Sequence, residues 1–174
     1  MKTPILETPR LQLRPLHTDN LPAIYAYAAK PEYATFLPYP SPTSVAELAD
    51  VFAEALTHDA DNDVYLWAVC LREKSELVGL VEFSLDDPTE ASLHYEIADH
   101  HWHRGYATEA AQAAISWAFG QFSQLQTLLA DTHGANRGAR RVLEKCGFQP
   151  LEQQLVMWEK SNEKVLLCRY RRSR

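Results

Sequence analysis

The stretch from Val64 to Leu71 is apolar at nearly every position, with none of the alternation that marks a strand with one wet face. Such a run reads as a central strand covered on both sides. A chain containing it is expected to build a sheet with packed layers on both faces. The 174 residues suffice for one domain of this kind, expected over residues 1–174.

The flanking segments supply the remaining layers. Leu11 and Leu13 alternate with polar neighbours after Thr8-Pro9, as in a half-buried strand. Thr18-Asp19-Asn20 offers caps for a helix that places Leu21, Ile24, Tyr25 and Ala28 on one face and tolerates Pro22 in its first turn. Four prolines between Pro31 and Pro42 break the chain, and Ser44 with Glu47 predicts a capping box for a second helix with Leu48, Val51, Phe52 and Ala55 facing the core. A polar loop runs from Thr57 to Asp63. Leu77 to Leu85 and Ala91 to Ala98 read as two strands that complete an antiparallel meander with the central one. From Ala107 onward, Ala110, Ala111, Ala114, Ile115, Ala118, Phe119 and Phe122 keep the three-four spacing of a long amphipathic helix. Leu125 to Asp131 is a short strand, and Asn136 caps a helix ended by Gly147. Leu151 to Glu159 and Val165 to Arg171 close the chain as a hairpin, an edge on which two copies can pair as a homodimer. The fold class is therefore α/β (α+β), a mixed, mostly antiparallel sheet of about seven strands flanked by about four helices.

No run approaches the roughly 18 apolar residues of a membrane span, and the first residues lack a signal-peptide core, so a cytoplasmic protein is expected. A net charge of −6 argues against a nucleic-acid binder and for a cationic partner. Cys70, Cys146 and Cys168 are too few and too scattered for a disulfide framework or a zinc site and read as buried free thiols.

One stretch carries chemistry. Trp102-His103-Arg104-Gly105-Tyr106-Ala107-Thr108-Glu109-Ala110 reads as a tight turn entering a helix, where successive N–H groups converge on an anion with the helix dipole behind them. Gly105 relaxes the backbone, Ala107 keeps bulk away, and Arg104 adds positive charge. The turn alone leaves nucleotides, phosphosugars and flavins equally open as ligands.

His94-Tyr95-Glu96-Ile97 ahead of this turn, followed by Asn136-Arg137-Gly138-Ala139-Arg140-Arg141-Val142-Leu143-Glu144-Lys145-Cys146-Gly147-Phe148, resembles the GCN5-related N-acetyltransferase (GNAT) superfamily. The likeness is to its branch of ribosomal-protein N-terminal acetyltransferases acting on alanine or serine, and it covers nearly the whole chain. It implies acetyl-CoA as co-substrate, with the pyrophosphate on the turn formed by Trp102, His103, Arg104, Gly105, Tyr106, Ala107 and Thr108. It further implies that the pantetheine arm runs along the fourth strand, bonded to the backbone of Ile97 and Ala98. Asn136 reaches the pantetheine in the family, although an N-cap role uses the same amide. Arg140 and Arg141 gather with Arg104 as positive charge for the CoA phosphates, against Arg137 and Lys145 as solvated helix residues.

Acetyl transfer to an amine needs a base, oxyanion stabilisation and a proton for the departing thiolate. Glu96, matching the family's glutamate, is the first candidate for base or orienter, and Glu82 on the preceding strand is a weaker one. Glu109 is explained by the helix dipole alone. Tyr33, Phe36 and Tyr39 are candidates for the acceptor cleft, because the first two helices flank it in the family, and Trp67 reads more naturally as core. The family's tyrosine acid is replaced by Leu143 and a frequent serine by Ala139, so no proton donor carries over. His94, Asp99 and His103 also depart from the family pattern. No metal is expected, since His100, His101 and His103 have neither helical spacing nor a carboxylate partner in sequence. The reading is an N-acetyltransferase acting on a protein N-terminus or a small amine. A catalytically weak acyl-CoA-binding module and an antibiotic-modifying enzyme are the alternatives.

Overall fold

The computed structural model describes residues 3–53, 56, 63–158 and 160–174. Ala55, most of the loop from Thr57 to Asp63, and Glu159 lie outside them. The strands are β1 (Leu6–Glu7), β2 (Leu11–Pro15), β3 (Val64–Leu71), β4 (Leu77–Asp87), β5 (Glu90–Ile97), β6 (Thr127–His133), β7 (Gln149–Trp158) and β8 (Glu163–Ser173). The helices are α1 (Leu21–Ala28), α2 (Val45–Val51), α3 (Tyr106–Gln121) and α4 (Arg137–Lys145), with short 3₁₀ turns at Thr18–Asn20, Tyr33–Phe36 and Asp99–His101. All eight strands form one sheet in the order β1-β2-β3-β4-β5-β6-β8-β7. Every pairing is antiparallel except β5 with β6. The strand beyond the expected seven is the two-residue β1.

The central strand divides its side chains as its composition requires. Tyr65, Trp67 and Val69 enter the core shared with α3 and α4, while Leu66, Ala68 and Cys70 enter the one shared with α1 and α2. A fully buried residue of this size stabilises the fold by roughly 1.5–3 kcal/mol, so covering both faces of one strand anchors both layers. On α3 the buried residues are Ala110, Ala111, Ala114, Ile115 and Ala118, whose small side chains let the helix lie close to the sheet. Trp67 is fully buried and its indole N–H donates to the Pro4 carbonyl at 2.7 Å. It is a core residue. The three cysteines are buried and unpaired.

Several local expectations change. On α1 the buried aromatic is Tyr27, 4% exposed, whereas Tyr25 is only partly buried and bonds the Thr43 carbonyl. Asn20 does not cap α1 through its side chain; its Oδ1 instead accepts from the His17 N–H, closing a box around the preceding 3₁₀ turn. Ser44 caps α2, but Glu47 reaches Thr43 rather than returning to Ser44. Val51 points outward, 67% exposed. Among the described residues, no helix is long and apolar enough to cross a membrane.

Candidate active site

The site forms where the single parallel pair comes apart. β5 and β6 are in register only from Glu90 to Ser92 against Thr127 to Leu129, and beyond that the two strands separate. The 3₁₀ turn Tyr33–Phe36 reaches both sides of the gap: the Tyr33 hydroxyl bonds Glu96 on β5, and the Phe36 ring lies 5.4 Å from that of His133 on β6. The proline-broken connection after α1 therefore roofs the opening.

Alternation along β5 sends Ala91, Leu93, Tyr95 and Ile97 toward α3, and Glu90, Ser92, His94 and Glu96 toward the α1 side. Glu96 is partly buried there, with Tyr27 and Tyr33 each donating an O–H to one of its oxygens at 2.5 Å. Contacts this short are charge-assisted hydrogen bonds to a carboxylate. Burial pushes the Glu96 pKa above the ordinary carboxylate value, with the negative charge of Glu82 adding to the rise and the two tyrosine bonds opposing it. The tyrosines respond in kind. Burial, then the Glu96 charge, raises Tyr27 and Tyr33 well above the usual phenol range. Tyr39 is pushed up to about 12 by burial and by the charges of Glu96 and Glu82. Glu96, Glu82, Tyr33 and Tyr39 thus share one neighbourhood. Tyr27 completes it, and sequence reasoning missed it because Tyr25 and Tyr27 lie on the same helix and periodicity favoured the former.

Gly79 permits this approach of strands. It faces Ile97 across the β4–β5 ladder, and a Cβ there would collide with the Glu96 carbonyl oxygen. The Ala98 N–H donates to the Val78 carbonyl at 2.8 Å and is held within the sheet, so the Ile97 N–H is the one directed into the gap. The Ile97 carbonyl accepts the Trp102 indole N–H at 2.6 Å, folding that half-exposed ring over the end of β5.

The turn after β5 has the form expected from its residues. Gly105 stands at φ 81° as the N-cap of α3 and supplies no side-chain cap, so the first-turn N–H groups of Tyr106, Ala107 and Thr108 have no intrahelical acceptor. His103, at φ 60°, adds a second left-handed residue. The turn is braced from the residue just ahead of β2: Arg10 donates to the Arg104 carbonyl at 2.9 Å, lies over the Tyr106 ring and pairs with Glu109 at 2.6 Å. Glu109 also accepts from the Thr8 hydroxyl at 2.6 Å and the Arg10 N–H at 2.9 Å, and burial of its carboxyl is outweighed by these bonds, which lower its pKa. Its role is a clamp between the β1–β2 turn and α3 beyond the dipole effect.

Asn136 caps α4, its Oδ1 accepting the Ala139 N–H at 3.0 Å. Arg140 is turned inward, its guanidinium donating to the Tyr170 hydroxyl and the Gly134 carbonyl at 3.0 and 3.3 Å. Arg141 is exposed. Leu143 is buried in the core, and the Tyr95 hydroxyl donates to the Ala139 carbonyl, tying β5 to α4. On the α1 side, a cavity of about 250 Å³ is lined by Asp86, Glu90, Ser92, His94, Asp131 and Arg169, among others. Arg169 holds Asp131 through two bonds of 2.8 Å, which leaves Asp86 and Glu90 as its uncompensated charges.

A sheet that parts beside a helix N-terminus, with a buried carboxylate facing the opening, agrees with the family match: the acetyltransferase (GNAT) domain covers residues 10–149. The chain belongs to the GNAT acetyltransferases. It is an acyltransferase, and its acetyl-CoA-dependent chemistry follows from that membership. Over 148 residues the GNAT chain is 27% identical to the uncharacterized N-acetyltransferase YoaA of Bacillus subtilis, covering 84% of this chain and 83% of that one. Among solved structures, the spermidine N-acetyltransferase of Vibrio cholerae, in complex with CoA and spermine, superposes with a TM-score of 0.81 at 20% identity over 95% of this chain and 96% of that one. The acetyltransferase of Salmonella typhimurium that modifies the N-terminal serine of ribosomal protein L7/L12 gives 0.83 at 16% identity, covering 98% and 99%. The fold is common to enzymes with unlike acceptors, so the likeness does not single out the ribosomal branch.

Proposed function

We propose that this GNAT domain, spanning residues 1–174, transfers acetyl from acetyl-CoA directly to a primary amine, with Glu96 as the base. The observation that carries the reading is the Glu96 carboxylate at the parting of β5 and β6, gripped by Tyr27 and Tyr33. An acceptor amine reaches the site protonated, and its nitrogen must release a proton to attack. A carboxylate whose pKa is raised is a better acceptor for that proton than an ordinary one. The amine nitrogen bonds to the thioester carbon, the C–S bond breaks, and the CoA thiolate leaves to take up a proton.

The donor side is supported by the turn. The open N–H groups of Tyr106, Ala107 and Thr108, together with Arg104, would hold the CoA pyrophosphate, and Ile97 would present its N–H to the pantetheine arm. Asn136 uses only its oxygen in the cap, so its amide nitrogen can also serve that arm. On the acceptor side, Tyr33, Phe36 and Tyr39 would flank the entering amine. Asp86 and Glu90 in the cavity support a small amine with a second positive charge over a peptide terminus.

The test is acetyl-CoA-dependent thiol release across a panel of polyamines, aminoglycosides and serine- or alanine-ended peptides. Polyamines should turn over fastest, and Glu96→Gln should lower the rate by about 10²-fold or more, the scale of a lost general base, with CoA affinity nearly kept. Unchanged turnover in Glu96→Gln would remove Glu96 from the mechanism. CoA binding without acceptor-dependent release would point to the binding module.

A further inference from the structure

The histidines ahead of the anion turn gain in three dimensions the carboxylate they lack in sequence. Glu76, at the end of the loop joining β3 to β4, brings its Oε1 to 3.1 Å from His101 Nε2. The His100 ring lies 4.2 Å from that of His101, and one ligand atom from each of the three residues falls within 4.8 Å of the others. We propose that Glu76, His100 and His101 form a binding site for a divalent transition-metal ion, Zn²⁺ by choice of ligands.

The donor set is two imidazoles and one carboxylate, the combination that holds zinc with one position left to water. Nitrogen and oxygen ligands at about 2.0–2.2 Å from a tetrahedral ion stand roughly 3.4 Å apart. Glu76 and His101, at 3.1 Å, stand close to that separation. His100, 56% exposed, has room to close the remainder by rotation about its contact with Asp99. The surroundings also prepare the ligands. Asp99 Oδ1 lies 3.3 Å from His100 Nδ1, so the carboxylate fixes the proton there and leaves Nε2 with a lone pair, the usual outer partner of a metal-bound histidine. Asp99 is itself fixed by Lys30, whose ammonium donates to both of its oxygens at 2.8 Å. His101 is 4% exposed; Glu76 accepts from its Nε2–H, while its Nδ1 is buried without a hydrogen-bond partner, so an ion at Nε2 would replace that proton beside the same carboxylate, with Nδ1 left to carry the ring proton. A bound ion would tie the β3–β4 loop to the segment leading into the Gly105 turn. The proposal is independent of the acetyl-transfer reading.

The test uses the full chain, stripped with a chelator and free of any affinity tag, titrated with Zn²⁺ against a chromophoric competitor and with Co²⁺ by absorbance. One equivalent should bind per chain, Co²⁺ should develop the visible bands of a four-coordinate site, and Zn²⁺ should raise the melting temperature. Glu76→Gln and His100→Ala alter exposed side chains and should melt as the wild type does without metal. Each should bind Zn²⁺ at least about tenfold more weakly and lose the cobalt bands. Absence of stoichiometric binding, or equal affinity in both variants, would overturn the proposal.

Discussion

Replacing Tyr33 by phenylalanine isolates the contribution of one hydroxyl to the proton affinity of Glu96. The bond is 2.5 Å long and donated to a carboxylate, and the Tyr27 hydroxyl holds the other oxygen at the same distance, so the carboxylate keeps its position when Tyr33 is lost. A hydrogen bond to a charged group contributes about 1.5–3 kcal/mol. Its loss raises the Glu96 pKa further, because only the ionised form is stabilised by the donor, and the lost bond corresponds to a roughly ten- to hundredfold higher proton affinity. A base must be ionised to act, so the acid limb of the kcat/KM profile should move to higher pH accordingly. The assay is thiol release at limiting amine between pH 5 and 10, with wild type and Tyr33→Phe measured on the same acceptor. Ionisation of the amine is common to both and cancels in their ratio. That ratio should be lowest at acid pH and climb to a plateau. If Tyr33 served only to seat the acceptor, kcat/KM would fall by one factor at every pH, and a flat ratio would refute the assignment of Glu96 as the titrating base.

Gly105→Ala places a Cβ at φ 81°, which costs about 1–2 kcal/mol and disturbs the N–H groups of the turn. A lower melting temperature together with CoA affinity reduced beyond what unfolding explains, both measured on the purified variant, is the expected outcome. On β7, an edge strand, Leu151, Leu155 and Met157 are 47%, 68% and 53% exposed, and such an edge is where a second copy would pair if the chain self-associates. Light scattering of the wild type tests this: if it runs as a dimer, Leu155→Lys should run as a monomer, and a monomeric wild type or an unchanged dimer mass in the variant would dismiss this edge as a contact.

The layered sheet was readable because one physical demand fixed it. A strand with no polar face can exist only between two covers, and Val64 to Leu71 meets α3 and α4 on one side and α1 and α2 on the other. The long helix was as plain, since Ala110, Ala111, Ala114, Ile115 and Ala118 recur at one spacing and are all buried. Short elements were less legible. Val51 continues the apolar spacing of α2 but falls at its last residue, where the helix has turned away from the sheet. The Asn20 cap was mistaken because a 3₁₀ turn precedes α1 and its own box takes the side chain. Local pattern names an element; competing local hydrogen bonds set where it begins.

The site divides along the same line. The anion turn is continuous in sequence, so its Gly105 and the open first turn of α3 could be inferred from adjacent residues. The carboxylate network is not: Tyr27 and Tyr33 meet Glu96 across separations of 69 and 63 residues. Helical spacing favours Tyr25, yet Tyr27 is the buried ring, because an acid on another element needs its hydroxyl as a donor. The same reasoning bears on the missing hydroxyls at Leu143 and Ala139. Both lie on α4, beside the path inferred for the thiol, where Leu143 is buried in apolar contacts and the Ala139 carbonyl is engaged by Tyr95. The hydroxyls instead surround Glu96 on the opposite face of the gap. On the proposed reading the hydroxyl donors therefore serve the side of the incoming amine, the stronger base, while a thiol, with an ordinary pKa of about 8.5, can leave as its anion without a dedicated acid.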